Sequence, residues 1–189
     1  MCEIALKYGG TIDKFIGDSV MIFFGDPDTK GAKEDAIACC QMAMEMLSFL
    51  ENNQQHFQDM YNFPEKLEIR VGIHNGLCNV GNFGSEQRLD YTAIGRTVNV
   101  AARLEQAAPK NSILVSSAIR NLIKNKFETS SPIEVKAKGI DKPIASYVLN
   151  RQEPQNTKVI KELDGLKLEY DPKKIDKNKL LEIIRELEN

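Results

Sequence analysis

The recurrence of apolar positions divides residues 1–149 into short strands alternating with helices. Residues 1–8 read as a helix end stopped by Gly9-Gly10. Residues 11–16 and 19–24 are β-prone runs joined by Gly17-Asp18, a strong hairpin signal. Residues 25–28 (Gly-Asp-Pro-Asp) form a loop. Ala36, Cys40, Ala43, Met44, Leu47 and Leu50 then fall on one stripe of a helix. The polar, punctuated stretch 52–64 reads as a helix end and connector. Leu67, Ile69, Val71 and Ile73 alternate with Glu68, Arg70, Gly72 and His74, the pattern of a half-buried strand. Asn75-Gly76 kinks or turns it, 77–80 continues as strand, and 81–87 reads as a loop.

Residues 89–94 are extended, and Gly95 leads into a helix over 97–107, closed by Pro109. A short strand, 113–115, precedes a helix over 118–125 that Ser116 or Ser117 can cap. The runs 127–138 and 146–149 are the last strands. No strict βαβα repeat governs this order, so the expected architecture is a mixed sheet with helices packed on it, α/β or α+β in class. Residues 150–189 differ in character. A polar linker at 150–158 is followed at the chain end by Leu180, Ile183, Ile184 and Leu187, one face of a short amphipathic helix. Such a helix is marginal alone and packs either on its own domain or on a partner.

Composition narrows the classes. Hydrophobic residues make up 42% and charged residues 28% of the 189, which fits a folded core rather than disorder. With 25 basic against 27 acidic residues, the net charge of −2 gives no global pull toward nucleic acid. No apolar run reaches the roughly 20 residues needed to span a bilayer. Residues 1–10 carry no signal-peptide pattern. A cytoplasmic location is therefore expected, any membrane anchor belonging to a portion outside this chain. Four scattered cysteines make no disulfide framework, and Cys39-Cys40 reads as a reduced pair with at least one side chain buried. Two histidines without C-x-x-C or H-E-x-x-H argue against zinc, and no Walker-type loop is present.

Three segments offer chemistry. Asp18 sits in a tight turn, where it is either simple turn chemistry or a hard oxygen ligand for Mg²⁺. Asn99 and Arg103 are one helical turn apart and share a face. They are either a surface polar pair or a ribose-and-phosphate grip. Arg70 lies among the polar positions of its strand and points either to solvent or into a polar cleft.

In order, these segments are Gly10-Thr-Ile-Asp-Lys-Phe-Ile-Gly-Asp-Ser-Val-Met-Ile-Phe-Phe-Gly25, Arg70-Val-Gly-Ile-His-Asn-Gly76 and Tyr91-Thr-Ala-Ile-Gly-Arg-Thr-Val-Asn-Val-Ala-Ala-Arg103. Together they resemble the catalytic domain of class III adenylate and guanylate cyclases, over residues 1 to 149. The resemblance implies a ferredoxin-like sheet and head-to-tail pairing of two domains, as a homodimer or a heterodimer of cyclase chains. It implies active sites at the interface, with two Mg²⁺ or Mn²⁺ ions per site. By position, Asp18 matches a metal aspartate, Lys14 and Thr92 the base-reading pair, and Asn99 the residue that orients the ribose. Arg103 matches the arginine that neutralises charge on the α-phosphate, Arg70 a terminal-phosphate arginine, and Lys136 a phosphate-contacting lysine. At Ala137 the family more often has glycine. Lysine can donate to N1 of adenine, whereas guanylate cyclases of this family typically carry Glu and Cys at the two base positions. The expected substrate is therefore ATP, cyclised to cAMP and pyrophosphate for intracellular signalling.

The resemblance also carries departures. The family's first metal aspartate, in a Phe-x-Asp-Ile-x-x-Phe pattern well upstream of the second, has no match among the 17 residues before Asp18. The family's first strand is likewise expected to be absent. Beside an adenylate cyclase whose start lies outside this chain, two further readings stay open. One is a half-site partner that works only with an intact protomer, and the other is a fragment that does not fold.

Overall fold

The computed structural model of the chain describes residues 1–135 and 143–150, with the backbone of Val159–Leu163 and Leu166–Tyr170. The chain divides into two units, Met1–Arg151 and Gln152–Asn189. The second contains a hairpin, β9 (Val159–Leu163) with β10 (Leu166–Tyr170), in register from Tyr170↔Val159 to Leu166↔Leu163. The sequence reading assigned no strands there. Its C-terminal amphipathic helix over 176–188 lies outside the described residues.

In the first unit, α1 (Cys2–Lys7) ends at Gly9-Gly10 as expected and leads into the hairpin of β1 (Thr11–Ile16) and β2 (Ser19–Phe23). Ile16 pairs with Ser19, so Gly17-Asp18 is a two-residue turn. Gly17 has φ +63°, the glycine-first signature of a type II′ hairpin. The helix α2 (Ala32–Asn52) carries the apolar stripe. After it, α3 (Gln54–Tyr61) is helical where a polar connector was expected. Aromatic spacing explains the difference. Phe57 meets Phe49 edge-on and stacks on Tyr61, each at 6.3 Å between centroids, which favours the helical turn.

The expected strand 67–74 is shorter in the structure. Only β3 (Arg70–Ile73) joins the sheet. Upstream, side chains replace the ladder. Gln54 bonds both the N–H and the C=O of Leu67, at 2.9 and 2.7 Å, and the amide oxygen of Asn111 accepts from the Ile69 N–H at 3.2 Å. Conversely, β4 (Asn79–Ser85) runs through the expected 81–87 loop and pairs with β5 (Arg88–Ile94) from Asn79↔Ile94 to Ser85↔Arg88. Two glycines in the stretch, Gly81 and Gly84, hide the alternation that would announce a strand, and the partner strand supplies it.

Then follow α4 (Arg96–Ala107), β6 (Ser112–Ser116), α5 (Ser117–Ile123), β7 (Ile133–Val135) and β8 (Ile144–Val148). Ser116 caps α5, its Oγ accepting from the Ile119 N–H. Of the long expected strand 127–138, residues 127–135 are represented by β7 and an isolated bridge, Thr129↔Leu149, while Phe127 packs into the core; 136–138 lie outside the described residues. One sheet has the order β3-β6-β8-β7, parallel between β3 and β6 and antiparallel elsewhere. The β1–β2 and β4–β5 ladders stand as separate two-stranded sheets.

Alternation along β6 divides the core. Ile113 and Val115 pack with Ala36, Cys40, Ala43 and Leu47 of α2 and Ile119 and Ile123 of α5. Leu114 packs on the other face with Val100 and Leu104 of α4. Helices therefore cover both faces, the mixed helix-on-sheet class that the periodicity predicted. Leu47, Leu104, Leu114, Ile113 and Ile123 are fully buried, each contributing roughly 1.5–3 kcal/mol relative to exposure. A third cluster seats Ile4 and Ala5 of α1 and Ile22 of β2 against Met42 and Met46 of α2, which holds the first hairpin on the domain. All four cysteines are free, with Cys40 buried, as the sequence suggested.

Candidate active site

The site is built where the two hairpins meet. Between Ile12↔Ile22 and Lys14↔Met21 the β1–β2 register slips by one residue, and Asp13 is the extra residue. A bulge of this kind re-aims a side chain. Here it turns Asp13 toward β5, where its side chain is completely buried. The Thr92 hydroxyl lies 2.9 and 2.8 Å from the two carboxylate oxygens, and the Ala93 N–H donates to Oδ2 at 2.9 Å. The ammonium of Lys14 is 3.3 Å from Oδ1. Burying a carboxylate costs several kcal/mol unless its charge and lone pairs are matched, and these donors match them.

Two of the expected site residues, Lys14 and Thr92, are thus brought onto one carboxylate from strands far apart in sequence. Lys14 is partly exposed and Thr92 is buried. Asp13 itself escaped the sequence reading. Its neighbours Lys14 and Asp18 carried the signal, and a strand residue beside them reads as one face of a ladder unless the bulge is seen.

A second tie joins the hairpins. The Tyr91 hydroxyl donates to Asp26 in the loop after β2, and this bond pushes the phenol's pKa up from its ordinary value. The Tyr91 ring lies 6.4 Å from that of Phe23.

Asn99 and Arg103 sit on α4, both exposed and one turn apart, as their spacing predicted. The Arg103 guanidinium donates to Gln106 at 2.9 Å on the same helix. Gly72 sets how closely α4 approaches β3. A Cβ there would lie 2.2 Å from the Glu105 nitrogen and 2.4 Å from the Ala101 oxygen. The glycine in Arg70-Val-Gly-Ile-His is thus a close-packing position. Arg70 is exposed at the start of β3. Among the described residues, no hydrogen bond or ion pair links Asp18, Arg70, Asn99 or Arg103 to the Lys14–Asp13–Thr92 group. Lys136 lies outside the described residues.

Asp18 is exposed at the tip of the first hairpin. No group of three or more His, Cys, Asp or Glu side chains capable of holding a metal occurs among the described residues. The acids Asp13 and Asp26 are engaged by Thr92, Ala93, Lys14 and Tyr91. One free hard oxygen suits a Mg²⁺ or Mn²⁺ ion shared with phosphate oxygens rather than a self-contained protein cage.

These elements define a mixed α/β domain with a polar group held between two hairpins. The family profile described as the adenylate and guanylate cyclase catalytic domain matches residues 6–151. Adenylate cyclase 1 of Rhizobium meliloti is 37% identical over 142 residues, covering 72% of this chain and 20% of its own length. The adenylate cyclase of Anabaena cylindrica is 34% identical over 144 residues, covering 74% and 28%. The chain therefore spans less than a third of the length of these curated relatives. Among solved structures, the adenylyl cyclase CyaB from P. aeruginosa superposes with a TM-score of 0.77 at 44% identity, over 81% of this chain and 78% of that one. The guanylyl cyclase Cya2 superposes at 0.73 with 29% identity, over 82% and 77%. The chain belongs to the family of adenylate and guanylate cyclase catalytic domains. No helix among the described residues is long and apolar enough to cross a membrane.

Proposed function

We propose that this domain is an adenylate cyclase, converting ATP to 3′,5′-cyclic AMP and pyrophosphate in a site shared between two catalytic domains. The observation that carries this reading is the pairing of Lys14 with Thr92 on Asp13. An ammonium donates to N1 of adenine, an acceptor, whereas guanine carries a donor at that position. The 44% identity to an adenylyl cyclase over most of the domain supports the same base.

The reaction forms a bond from the ribose O3′ to the α-phosphorus and breaks the bond from that phosphorus to the bridging oxygen of pyrophosphate. The 3′-hydroxyl proton is lost and pyrophosphate leaves. Charge grows on the oxygens of the transferring phosphorus, so positioning and cationic donors do most of the work. Arg103 supplies a fixed guanidinium fork to the α-phosphate, and Asn99, one turn earlier on the same face, orients the ribose. Arg70 and Lys136 neutralise the terminal phosphates. Asp18 would hold a divalent cation jointly with phosphate oxygens, and the ion when bound supplies further positive charge.

Exposed apolar side chains support assembly with a second catalytic domain. Phe15 and Ile16 of β1 and Leu89 of β5 are each more than 60% exposed, and Leu77, before β4, is 98% exposed. Exposed large apolar side chains of this kind favour association. That no metal-holding group of three or more His, Cys, Asp or Glu side chains occurs among the described residues favours a second reading, a half-site partner that completes its site with another cyclase chain.

The test is cyclic-nucleotide production by the 189-residue chain given ATP or GTP with Mn²⁺, beside Arg103→Ala. Cyclic AMP from ATP that drops at least a hundredfold in the variant is expected. Cyclic GMP from GTP as the main product would overturn the base assignment. Product that appears only on mixing with an intact cyclase domain, whose own arginine at the Arg103 position is alanine, would establish the half-site reading.

A further inference from the structure

We infer that Asp13 is the positioning residue that sets the base preference of this site, because it takes the Thr92 hydroxyl proton and leaves that oxygen able only to accept. The inference rests on the reading that Lys14 and Thr92 face the purine. A threonine hydroxyl has one proton and two lone pairs, and its rotor turns to suit its neighbours. Left free, it would donate to a carbonyl as readily as it accepts from an amine, and could not tell guanine O6 from the adenine 6-amino group.

The geometry removes that freedom. A carboxylate is an acceptor only, and both Asp13 oxygens lie within 2.9 Å of Thr92 Oγ1. The hydroxyl proton is therefore committed to Asp13, and a lone pair is what remains for a ligand. The carboxylate cannot turn away. Its Oδ2 is held by the Ala93 N–H at 2.9 Å and its Oδ1 by Lys14 at 3.3 Å. The same group thus gives the pair one donor, Lys14, and one acceptor, Thr92. That order complements N1 and the 6-amino group of adenine. Against guanine it sets the Thr92 lone pair toward O6, two acceptors facing, and leaves a buried polar contact unmade.

The experiment compares wild type, Asp13→Asn, Thr92→Val and the double variant of the full chain. Binding of radiolabelled ATP and GTP is measured by equilibrium dialysis with Mn²⁺, and a thermal melt checks folding. Asparagine keeps the shape but offers one oxygen, which the Ala93 N–H claims. Its N–H₂ then turns toward Thr92 and frees the hydroxyl proton to donate. The ATP-to-GTP affinity ratio should fall roughly tenfold, the size of one hydrogen-bond mismatch. In the Thr92→Val background, Asp13→Asn should change the ratio less than about twofold, since the oxygen it acts through is gone. Should Asp13→Asn fail to fold, Asp13→Ala removes the acceptor without adding a donor and should relax the ratio in the same sense.

A folded Asp13→Asn with an unchanged ratio, while Thr92→Val alters it, overturns the inference and leaves the base-reading pair standing. An equal shift in the Thr92→Val background also overturns it, because Asp13 would then act only by holding the strands together. If neither Asp13→Asn nor Thr92→Val moves the ratio, the base-reading assignment itself fails.

Discussion

Gly72→Ala is the sharpest probe of how α4 is held over the sheet. The added Cβ would lie 2.2 Å from the Glu105 nitrogen, 2.4 Å from the Ala101 oxygen and 2.9 Å from the Glu105 Cα. All three are backbone atoms of α4, so no side chain can rotate aside. Restoring an ordinary separation of about 3.5 Å requires α4 to lift by about 1 Å. Overpacking of this kind costs about 1–3 kcal/mol, and a rigid backbone wall on one side places it near 3. For a domain of this size that corresponds to a fall in Tm of roughly 6–12 °C, measured by calorimetry or circular dichroism. α4 also carries Asn99 and Arg103, so the same lift moves both, and under the proposed function a misplacement of about 1 Å costs about a hundredfold in rate. A variant melting within 2 °C of wild type would refute the close-packing argument. Unchanged activity at a lowered Tm would refute its link to the site.

Burial holds the His74 pKa below its ordinary value of 6.5, and its Nδ1 lies 2.8 Å from Ser116 Oγ. The unfolded chain then binds the proton first, so stability is full above about pH 6.5 and falls as pH drops from there toward the folded pKa. Melts from pH 7.5 to 5.5 should show this loss in wild type and a weaker one in His74→Gln; parallel curves would sink the assignment. Burial pushes the Cys39 thiol up to about 12 and that of Cys40 higher still, whereas Cys78 is exposed. A thiol reagent at pH 8 should modify Cys78 within minutes and reach Cys39 and Cys40 only on unfolding, as read by mass spectrometry. Rapid labelling of Cys40 in the folded chain would show that the α2 core is open.

Much of the domain was legible in local chemistry. A Gly-Asp turn between apolar runs specifies the first hairpin. A regular stripe on α2 names its buried face, and Asn99 and Arg103 share a face because a helix turns every 3.6 residues. These features depend on neighbours a few positions away. The site residues were readable as types in an order that resembles a known family, and the order alone does not say what each side chain touches.

Tertiary structure decided the rest. The bond from Thr92 to Asp13 spans 79 positions of sequence, and only the meeting of two hairpins makes it. The bulge that aims Asp13 inward leaves no periodic trace, because one extra residue inverts the alternation on which such a reading depends. Residues 81–85 become a strand only because β5 lies beside them, and 67–69 leave the ladder only because Gln54 and Asn111 take their backbone groups. In each case a polar group must be matched by a partner remote in sequence, and which partner arrives is a property of the packed chain. Residue types and turns were therefore determined by the sequence by itself, while the meeting of Lys14 and Thr92 on one buried carboxylate was decided by the fold.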